Sequence, residues 1–315
     1  FSTVEAANTS LENWPVEEKG IVIKASALAG GKGVVVTKDR EIAKQTIYDF
    51  LVNPDCTVKT KDLIFEEMLH GKEVSVFALL DGDSFTMLGY ACDYKRLLDN
   101  DKGPNTGGMG CYSPKTWPTQ EQKKIIEKNI IEQTLTGMKA KKIPFKGFLF
   151  VGLMIDESVD AITGIKVIEY NVRFGDPEAQ TLLPLLEGNL SQVLYSAAKK
   201  ELSENCQTLS LSEKSAVHVV MTSEGYPSTD GTVMNLDNKI IFDKDLIPKL
   251  PLQSKQLYFA GVKSINGKIT NSGGRVLGLT AIADEITQAR DIAYQEIQNI
   301  SFQGGFYRKD IGKNV

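Results

Sequence analysis

The sequence predicts a mixed α/β and α+β protein of about two to three domains, the last of them a smaller α+β domain. Three observations predict this. Short apolar runs separated by glycine turns dominate the N-terminal third. An alternating run at residues 165–171 leads at once into a helix-start signal, Asp176-Pro177-Glu178. Beyond the polar stretch 203–214, which reads as a linker, come further strands and one closing helix.

Taken in order, residues 21–25 form an apolar strand, 26–33 are small and glycine-rich, and 34–36 are β-branched. A P-loop or dinucleotide fingerprint needs a helix after its glycines, so Gly30-Gly31-Lys32-Gly33 is instead a loop between two strands. Thr37 is the expected N-cap of a helix with Ile42, Ala43, Ile47, Phe50 and Leu51 on one face, ending before Asn53-Pro54. Residues 63–67 and 74–80 read as strands about a turn at His70-Gly71, and Asp81-Gly82 as a hairpin tip leading to a strand at 85–88. Residues 103–114 read as a long glycine-dense loop whose backbone N–H groups line an anion. Thr119 and Gln122 have capping-box spacing and open a long helix to about residue 142. Strands follow at 147–155 and 165–171, then helices at 177–186 and 190–200. The closing domain has strands at 216–221, 257–264 and 274–280, a two-residue hairpin turn at Asn266-Gly267, and a helix at 284–298.

The balance of 36 basic and 40 acidic residues gives a net charge of -4, and no basic run interleaves with aromatics. Nucleic-acid binding is not expected. The chain has no apolar stretch of about 18 residues, and Phe1-Ser2-Thr3-Val4-Glu5 is no signal peptide, so a soluble cytoplasmic protein without a membrane partner is expected. Cys56, Cys92, Cys111 and Cys206 are scattered, which fits a reducing compartment and neither a zinc nor a redox motif. His70 and His218 are expected to be surface or packing residues rather than catalysts. The start at Phe1, without Met, reads as a fragment or a processed chain.

The chemistry concentrates in a few segments. At strand spacing Glu169, Asn171 and Arg173 share one face. A carboxylate beside an amide oxygen suits Mg²⁺, which keeps substrate phosphates in its remaining positions, and a guanidinium next to them grips phosphate. Asp176 as N-cap and Pro177 at the first helical position then form a helix N-terminus, itself an anion site. Lys24 ends an apolar strand beside the glycine loop, where it and Lys32 can meet phosphate as point charges. Glu66-Glu67-Met68-Leu69 offers an extended edge to an adenine, with Glu73 placed for ribose hydroxyls.

This order of parts resembles the ATP-grasp fold, in which two α+β units hold ATP between them. Eight segments make the resemblance specific: residues 22–33, 66–69, 71–75, 93–96, 103–110, 169–178, 273–277 and 308–312 are similar to those of the glycinamide ribonucleotide synthetases, the phosphoribosylamine–glycine ligases of de novo purine synthesis. The resemblance covers essentially the whole chain. It implies an ATP-grasp lid subdomain at 1–65, a central ATP-grasp domain with the metal site at 66–214 and a C-terminal α+β domain at 215–315. It also implies ATP with Mg²⁺ or Mn²⁺ as cofactors. Lys24 with Gly30, Gly31, Lys32 and Gly33 would hold the ATP phosphates, Glu66, Glu67, Met68 and Leu69 the adenine, Glu73 the ribose, and Arg96 and Asn105 the phosphate side of the nucleotide. Glu169 and Asn171 would bind the metal. Asp93, Gly107, Gly108, Arg173, Gly175 and Asp176 would face glycine and 5-phosphoribosylamine, with Arg308 and Lys309 closing that site and Arg173 and Lys24 as the catalytic cations. The implied reaction makes glycinamide ribonucleotide, ADP and phosphate through a glycyl phosphate.

Family members carry an N-terminal domain with its own glycine-rich phosphate turn, and this chain begins at the ATP lid. The eukaryotic members often continue into other enzymes of the pathway. Ala27 stands where the family has Gly, Gly30 where it has Ala, and Tyr94 where it has His. The other readings are a catalytically silent nucleotide-binding fragment or scaffold lacking the amine-binding domain, and a different ATP-grasp carboxylate–amine ligase.

Overall fold

Thr3 opens the first helix, α1 (Val4–Glu12), by accepting the amide of Ala6 on its hydroxyl. Sequence reasoning did not anticipate α1 or the short α2 (Val16–Lys19): only Ala7, Leu11 and Val16 go to the core, too sparse an apolar pattern to announce a helix. The computed structural model describes residues 1–27, 33–205, 209–228, 231–242, 254–313 and 315. These fall into two compact units, Phe1–His70 and Gly71–Val315.

In the first unit β1 (Ile21–Ala25) lies between β2 (Val34–Thr37) and, after α3 (Arg40–Leu51), β3 (Leu63–Glu66), all antiparallel. The core packs Ile21, Ile23 and Leu63 from the sheet against Ala7, Leu11, Ala43, Ile47 and Phe50 from the helices. Asp39, not Thr37, caps α3. Its carboxylate accepts the amides of Glu41 and Ile42, while the Thr37 hydroxyl accepts the amide of Asp39 itself. A charged acceptor is favoured there by the helix dipole.

The second unit begins with the hairpin of β4 (Lys72–Asp81) and β5 (Phe85–Asp93), turned by Gly82 at φ +97°. Much of the expected loop at 103–114 is strand. β6 (Arg96–Leu98) pairs with β7 (Lys102–Asn105), and β8 (Gly110–Ser113) joins the main sheet. The capping box of Thr119 and Gln122 starts α4 (Gln120–Ile126), which passes through a wider π turn at Glu127–Ile131 into α5 (Glu132–Ala140). Then come β9 (Lys146–Ile155), β10 (Ile165–Asn171) and the five-residue α6 (Glu178–Leu182). β11 (Leu186–Gly188) precedes α7 (Leu190–Lys199), and the stretch read as a linker contains secondary structure: it holds part of α8 (Leu202–Asn205) and β12 (Leu209–Leu211), which pairs back onto β11.

The last strands are β13 (Ser215–Thr222), β14 (Ile241–Phe242), β15 (Lys255–Phe259), β16 (Val262–Ile265), β17 (Lys268–Asn271) and β18 (Arg275–Ala283). The strand expected at 257–264 is broken at Gly261, whose Cβ position lies 2.8 Å from the Cα of Gly273, so two backbones cross there. Helix α9 (Ile286–Ile297) packs on this part, and β19 (Ile300–Ser301) pairs with β14.

One eight-stranded sheet, in the order β10-β9-β4-β5-β8-β13-β18-β15, runs through the unit. Residues 71–211 and 215–311 nevertheless centre on distinct buried clusters, one around Val76, Leu80, Ile126 and Val151, the other around Val217, Leu279, Ala289 and Ala293, which meet at Tyr112 and where Leu185 packs with Ala216 and Ile282. We propose the division at 214/215 on those two cores, since the hydrogen-bond ladder itself does not break there. Glu66–Leu69 belong with the first compact unit. No helix among the described residues is long and apolar enough to cross a membrane.

Candidate functional site

In the first unit the Lys24 ammonium, at the end of β1, lies 2.6 Å from Glu66 Oε2 on β3. The register of β1 on β3 sets Val22 opposite Glu66 and Lys24 opposite Ile64, so the pair bridges a diagonal. The strand returns through Gly33, whose carbonyl accepts the amide of Ala25 at 2.8 Å; Gly30, Gly31 and Lys32 lie outside the described residues. Glu67 is exposed and Leu69 half-buried. Met68 packs on Gly20, where a Cβ would come within 2.3 Å of its sulfur.

In the second unit a partly buried polar cluster surrounds Lys95. Its ammonium pairs with Glu73 on β4. Burial works to lower the Lys95 pKa, but Glu73, Asp93 and Glu169 outweigh it and hold the ammonium above its ordinary value. Sequence reasoning missed this residue, although its spacing from Asp93 was a signal: alternate residues in an extended segment share a face. Asp93 ends β5 with its Oδ1 buried and without a hydrogen-bond partner. Burial, and then the Glu178 carboxylate, push Asp93 well above the usual carboxylate range, with Lys95 pulling the other way.

Glu178, read from sequence as a helix-start residue, is buried, and its Oε1 accepts the Ser75 hydroxyl at 2.9 Å. Burial raises it too. Gly175 lets it sit there, because a Cβ on that residue would lie 2.2 Å from Glu178 Oε2.

Glu169 and Asn171 stand on β10, the edge strand of the large sheet. A bulge falls between Val167, opposite Leu153, and Glu169, opposite Gly152, and such bulges re-aim side chains. Beyond it Asn171 Nδ2 donates to Glu169 Oε1 at 3.0 Å, so the two side chains touch on one face. The described residues contain no group of three or more His, Cys, Asp or Glu suited to a metal. Two oxygen donors are what a magnesium ion sharing its shell with phosphates and water requires of the protein, so this pair fits such an ion.

The turn after β10 differs from expectation. Asp176 does not cap a helix: its carboxylate pairs with Arg275 at 2.9 Å and accepts the Gln180 side-chain amide at 3.0 Å. Pro177 occupies the cap position of α6, which has no side-chain cap bond. The helix start expected at Asp176 thus falls at Glu178, with Pro177 rather than Asp176 at its cap. Arg173 is exposed and donates Nη1 to the carbonyl of Phe174, while Phe174 stacks on Phe77 at 4.5 Å.

The glycine turn at 106–109 does not present free amides to an anion. Thr106 N–H donates to the Lys95 carbonyl, Gly107 N–H to the Tyr226 hydroxyl, Gly108 N–H to the Thr106 hydroxyl and Met109 N–H to the Tyr94 carbonyl. The turn is wired by its own neighbours, and Gly108, at φ +113°, lies against Asp93.

Arg96 and Asn105 face each other across β6 and β7, both exposed, with Arg96 Nη1 donating to the Gly103 carbonyl. Arg308 corrects its expectation most clearly. Instead of facing a substrate, its fully buried guanidinium bonds Asp310, Asp101 and the Arg96 carbonyl and lies 4.7 Å above the Tyr94 ring. Lys309 is exposed, and its backbone amide donates to Asp99. The Tyr94 hydroxyl accepts the amide of Gly312, so this departure from the family pattern is tied into the last loop. His218 is buried against the Thr280 hydroxyl at 2.8 Å, a packing role.

Comparison with known proteins accords with this geometry. Residues 1–179 match the ATP-grasp (A) domain of phosphoribosylglycinamide synthetase, and residues 216–314 match its C domain. The phosphoribosylamine–glycine ligase of Vigna unguiculata is 42% identical over 298 residues, covering 92% of this chain and 91% of that one. That of Caulobacter vibrioides is 39% identical over 299 residues, covering 94% of this chain. The chain spans 66% of the Caulobacter protein and 28% of the 37% identical trifunctional purine biosynthetic protein adenosine-3 of Gallus gallus. The crystal structure of phosphoribosylamine–glycine ligase from Thermotoga maritima aligns with a TM-score of 0.82 at 29% identity, over 98% of this chain and 72% of the other. The fold is the ATP-grasp fold, and the chain belongs to the phosphoribosylglycinamide synthetase family.

Proposed function

We propose that the protein carrying this chain joins glycine to 5-phosphoribosylamine at the expense of ATP, giving glycinamide ribonucleotide, ADP and phosphate through a glycyl phosphate. The observation that carries this reading is the buried Asp93 carboxylate, unpartnered at Oδ1 in a cluster with Lys95, Glu73 and Glu178. A carboxylate so placed lacks a cation, and a substrate ammonium supplies one while its other end stays open to reaction.

In this reading Asp93 holds the glycine ammonium, with Gly107 and Gly108 bounding it. Lys95 offsets the surrounding carboxylates, so a single added cation completes the balance. Arg173, exposed and on the turn after β10, gathers charge on the phosphoryl group. In the first unit Lys24 and residues 30–33 serve the ATP phosphates and residues 66–69 the adenine. Glu73 serves the ribose, and Arg96 and Asn105 the phosphate side of the nucleotide. Glu169 and Asn171 would hold Mg²⁺ or Mn²⁺, which would supply Lewis-acid stabilisation of phosphate oxygens. No step needs a nucleophilic side chain, because the phosphoryl group makes the glycine carboxylate electrophilic and the ribosylamine attacks it. Positioning and electrostatics supply the rate. We place the protein in the cytoplasm, where the free thiols of Cys56, Cys92 and Cys111 stay reduced, and in multifunctional chains where other purine enzymes are fused to it.

A coupled assay of ADP release by the full-length protein tests this. Release should require both glycine and ribosylamine, and Ala at Glu169 and Asn171 together should abolish it while leaving the far-UV spectrum unchanged. ATP binding with no turnover in the unaltered protein would turn the reading toward a silent nucleotide-binding scaffold.

A further inference from the structure

Two residues with no role in the reading above reach the substrate side from the C-terminal part of the sheet. Arg275 opens β18 opposite Thr222, where the β13 ladder has a register shift. Its Nη1 donates to the carbonyl of Gly107 at 2.7 Å and to that of Asp176 at 2.8 Å, and its Nη2 pairs with the Asp176 carboxylate at 2.9 Å. One guanidinium thus ties together two chain segments that are far apart in sequence.

Tyr226 holds the other side of the same peptide plane: its hydroxyl accepts the amide of Gly107 at 2.8 Å. Its ring lies on Gly274, where a Cβ would come within 2.2 Å of Cδ2, so only glycine lets the ring lie there. Ser223 stitches the two loops together, its amide donating to the Gly274 carbonyl and its hydroxyl to the Gly273 carbonyl. The motif Gly273-Gly274-Arg275 thereby acquires a physical purpose. Gly274 seats Tyr226, and Arg275 and Tyr226 together grip Gly107 at both carbonyl and amide.

The residue next to the one gripped is Gly108, packed between Pro177 and Asp93. A Cβ there would lie 2.5 Å from Pro177 Cδ and 2.7 Å from Asp93 Oδ1. The clearance beside the unpartnered carboxylate is therefore set by where this turn stands. We propose that Arg275 and Tyr226 are positioning residues that fix the Gly107-Gly108 turn against Asp93, so that the site takes a small ammonium-bearing substrate, an amino acid without a side chain.

This rests on the ligase reading for the identity of the substrate, but the clamp has a readout of its own. Arg275→Lys keeps the charge and loses the fork that reaches both carbonyls and the carboxylate; Tyr226→Phe removes only the hydroxyl. In the full-length protein Arg275→Lys should raise the KM for glycine at least tenfold and leave the KM for ATP within twofold. Hydrogen exchange of the amides at 106–109 should quicken at least tenfold in Arg275→Lys and at Gly107 in Tyr226→Phe, with exchange in β4 and β9 unchanged.

Unchanged exchange at 106–109 in both variants overturns the clamp. So does a parallel rise of both KM values, which marks a general loss of structure. An unaltered protein without glycine-dependent turnover sinks the ligase reading alone, and the exchange result then decides the clamp: acceleration confined to 106–109 supports it.

Discussion

Replacing Asp93 by Asn should make the ligand-free protein more stable and abolish the glycine binding proposed for it. The Asp93 carboxyl is buried, one oxygen has no partner, and the Glu178 carboxylate stands near enough to raise it further. A buried polar atom left unsatisfied costs roughly 1–3 kcal/mol, and more when charged; Asn still leaves a polar atom there, so the substitution should recover only the excess due to the charge, on the order of 1 kcal/mol at neutral pH. The pH dependence gives the sign. The folded-state pKa of Asp93 is raised above the ordinary 3.8, so the folded form holds its proton after the unfolded form has released it. The resulting stability is fully present below 3.8 and is lost as pH rises through the folded value. Asn carries no such proton. The variant's advantage should therefore be small near pH 4 and grow toward pH 8, measured by urea unfolding at each pH. Saturating glycine should stabilise only the unaltered protein, by about 2.7 kcal/mol at a hundredfold excess over Kd. An Asp93→Asn protein that is less stable by the same amount at pH 5 and pH 8 would refute the reasoning, since Asp93 would then be a satisfied structural acceptor.

Arg308→Met should destabilise the protein by about 3 kcal/mol, the low end for a broken buried pair, because Asp101 is largely exposed while Asp310 is not; calorimetry checks this. Gly108→Ala combines φ +113° with a Cβ 2.7 Å from Asp93 Oδ1, and should suppress glycine-dependent ADP release while ATP binding by calorimetry is retained. His218, held neutral by burial and pushed down to about 3, should take up its proton only on unfolding. The unaltered protein should accordingly lose stability as pH falls below about 6.5, and His218→Gln should lessen that loss in urea titrations between pH 7 and 5.

Features set by neighbours in sequence were legible before the structure. The Thr119 and Gln122 capping box depends on three-residue spacing. The Asn266-Gly267 turn has φ of 50° and 73°, which asparagine and glycine tolerate, and it joins Ile265 to Lys268 as expected. The contact of Glu169 with Asn171 follows from strand alternation. What escaped were choices among competing local partners and contacts across long loops. Asp39 took the cap from Thr37 by charge. Asp176 left its helix because Arg275, 99 positions away, offered a better partner. Arg308 was expected to close the substrate site, and only the fold reveals that Asp101, 207 positions earlier, and Asp310 neutralise it. Tyr226 carries no local signature at all, and Arg275, though part of the 273–277 motif, gave no sign of its partner: the meaning of both lies in Gly107.

The pairing of β8 with β13 has a bearing on how this protein can be cut or fused. A chain ended near residue 211 would shed β13, β18 and β15 and leave β8 paired only to β5, its other margin bare of main-chain mates and open to any passing peptide. Engineers who want an excised nucleotide module would do better to cover that margin, with a grafted hairpin or charged flanking residues, than to trim at the apparent domain border.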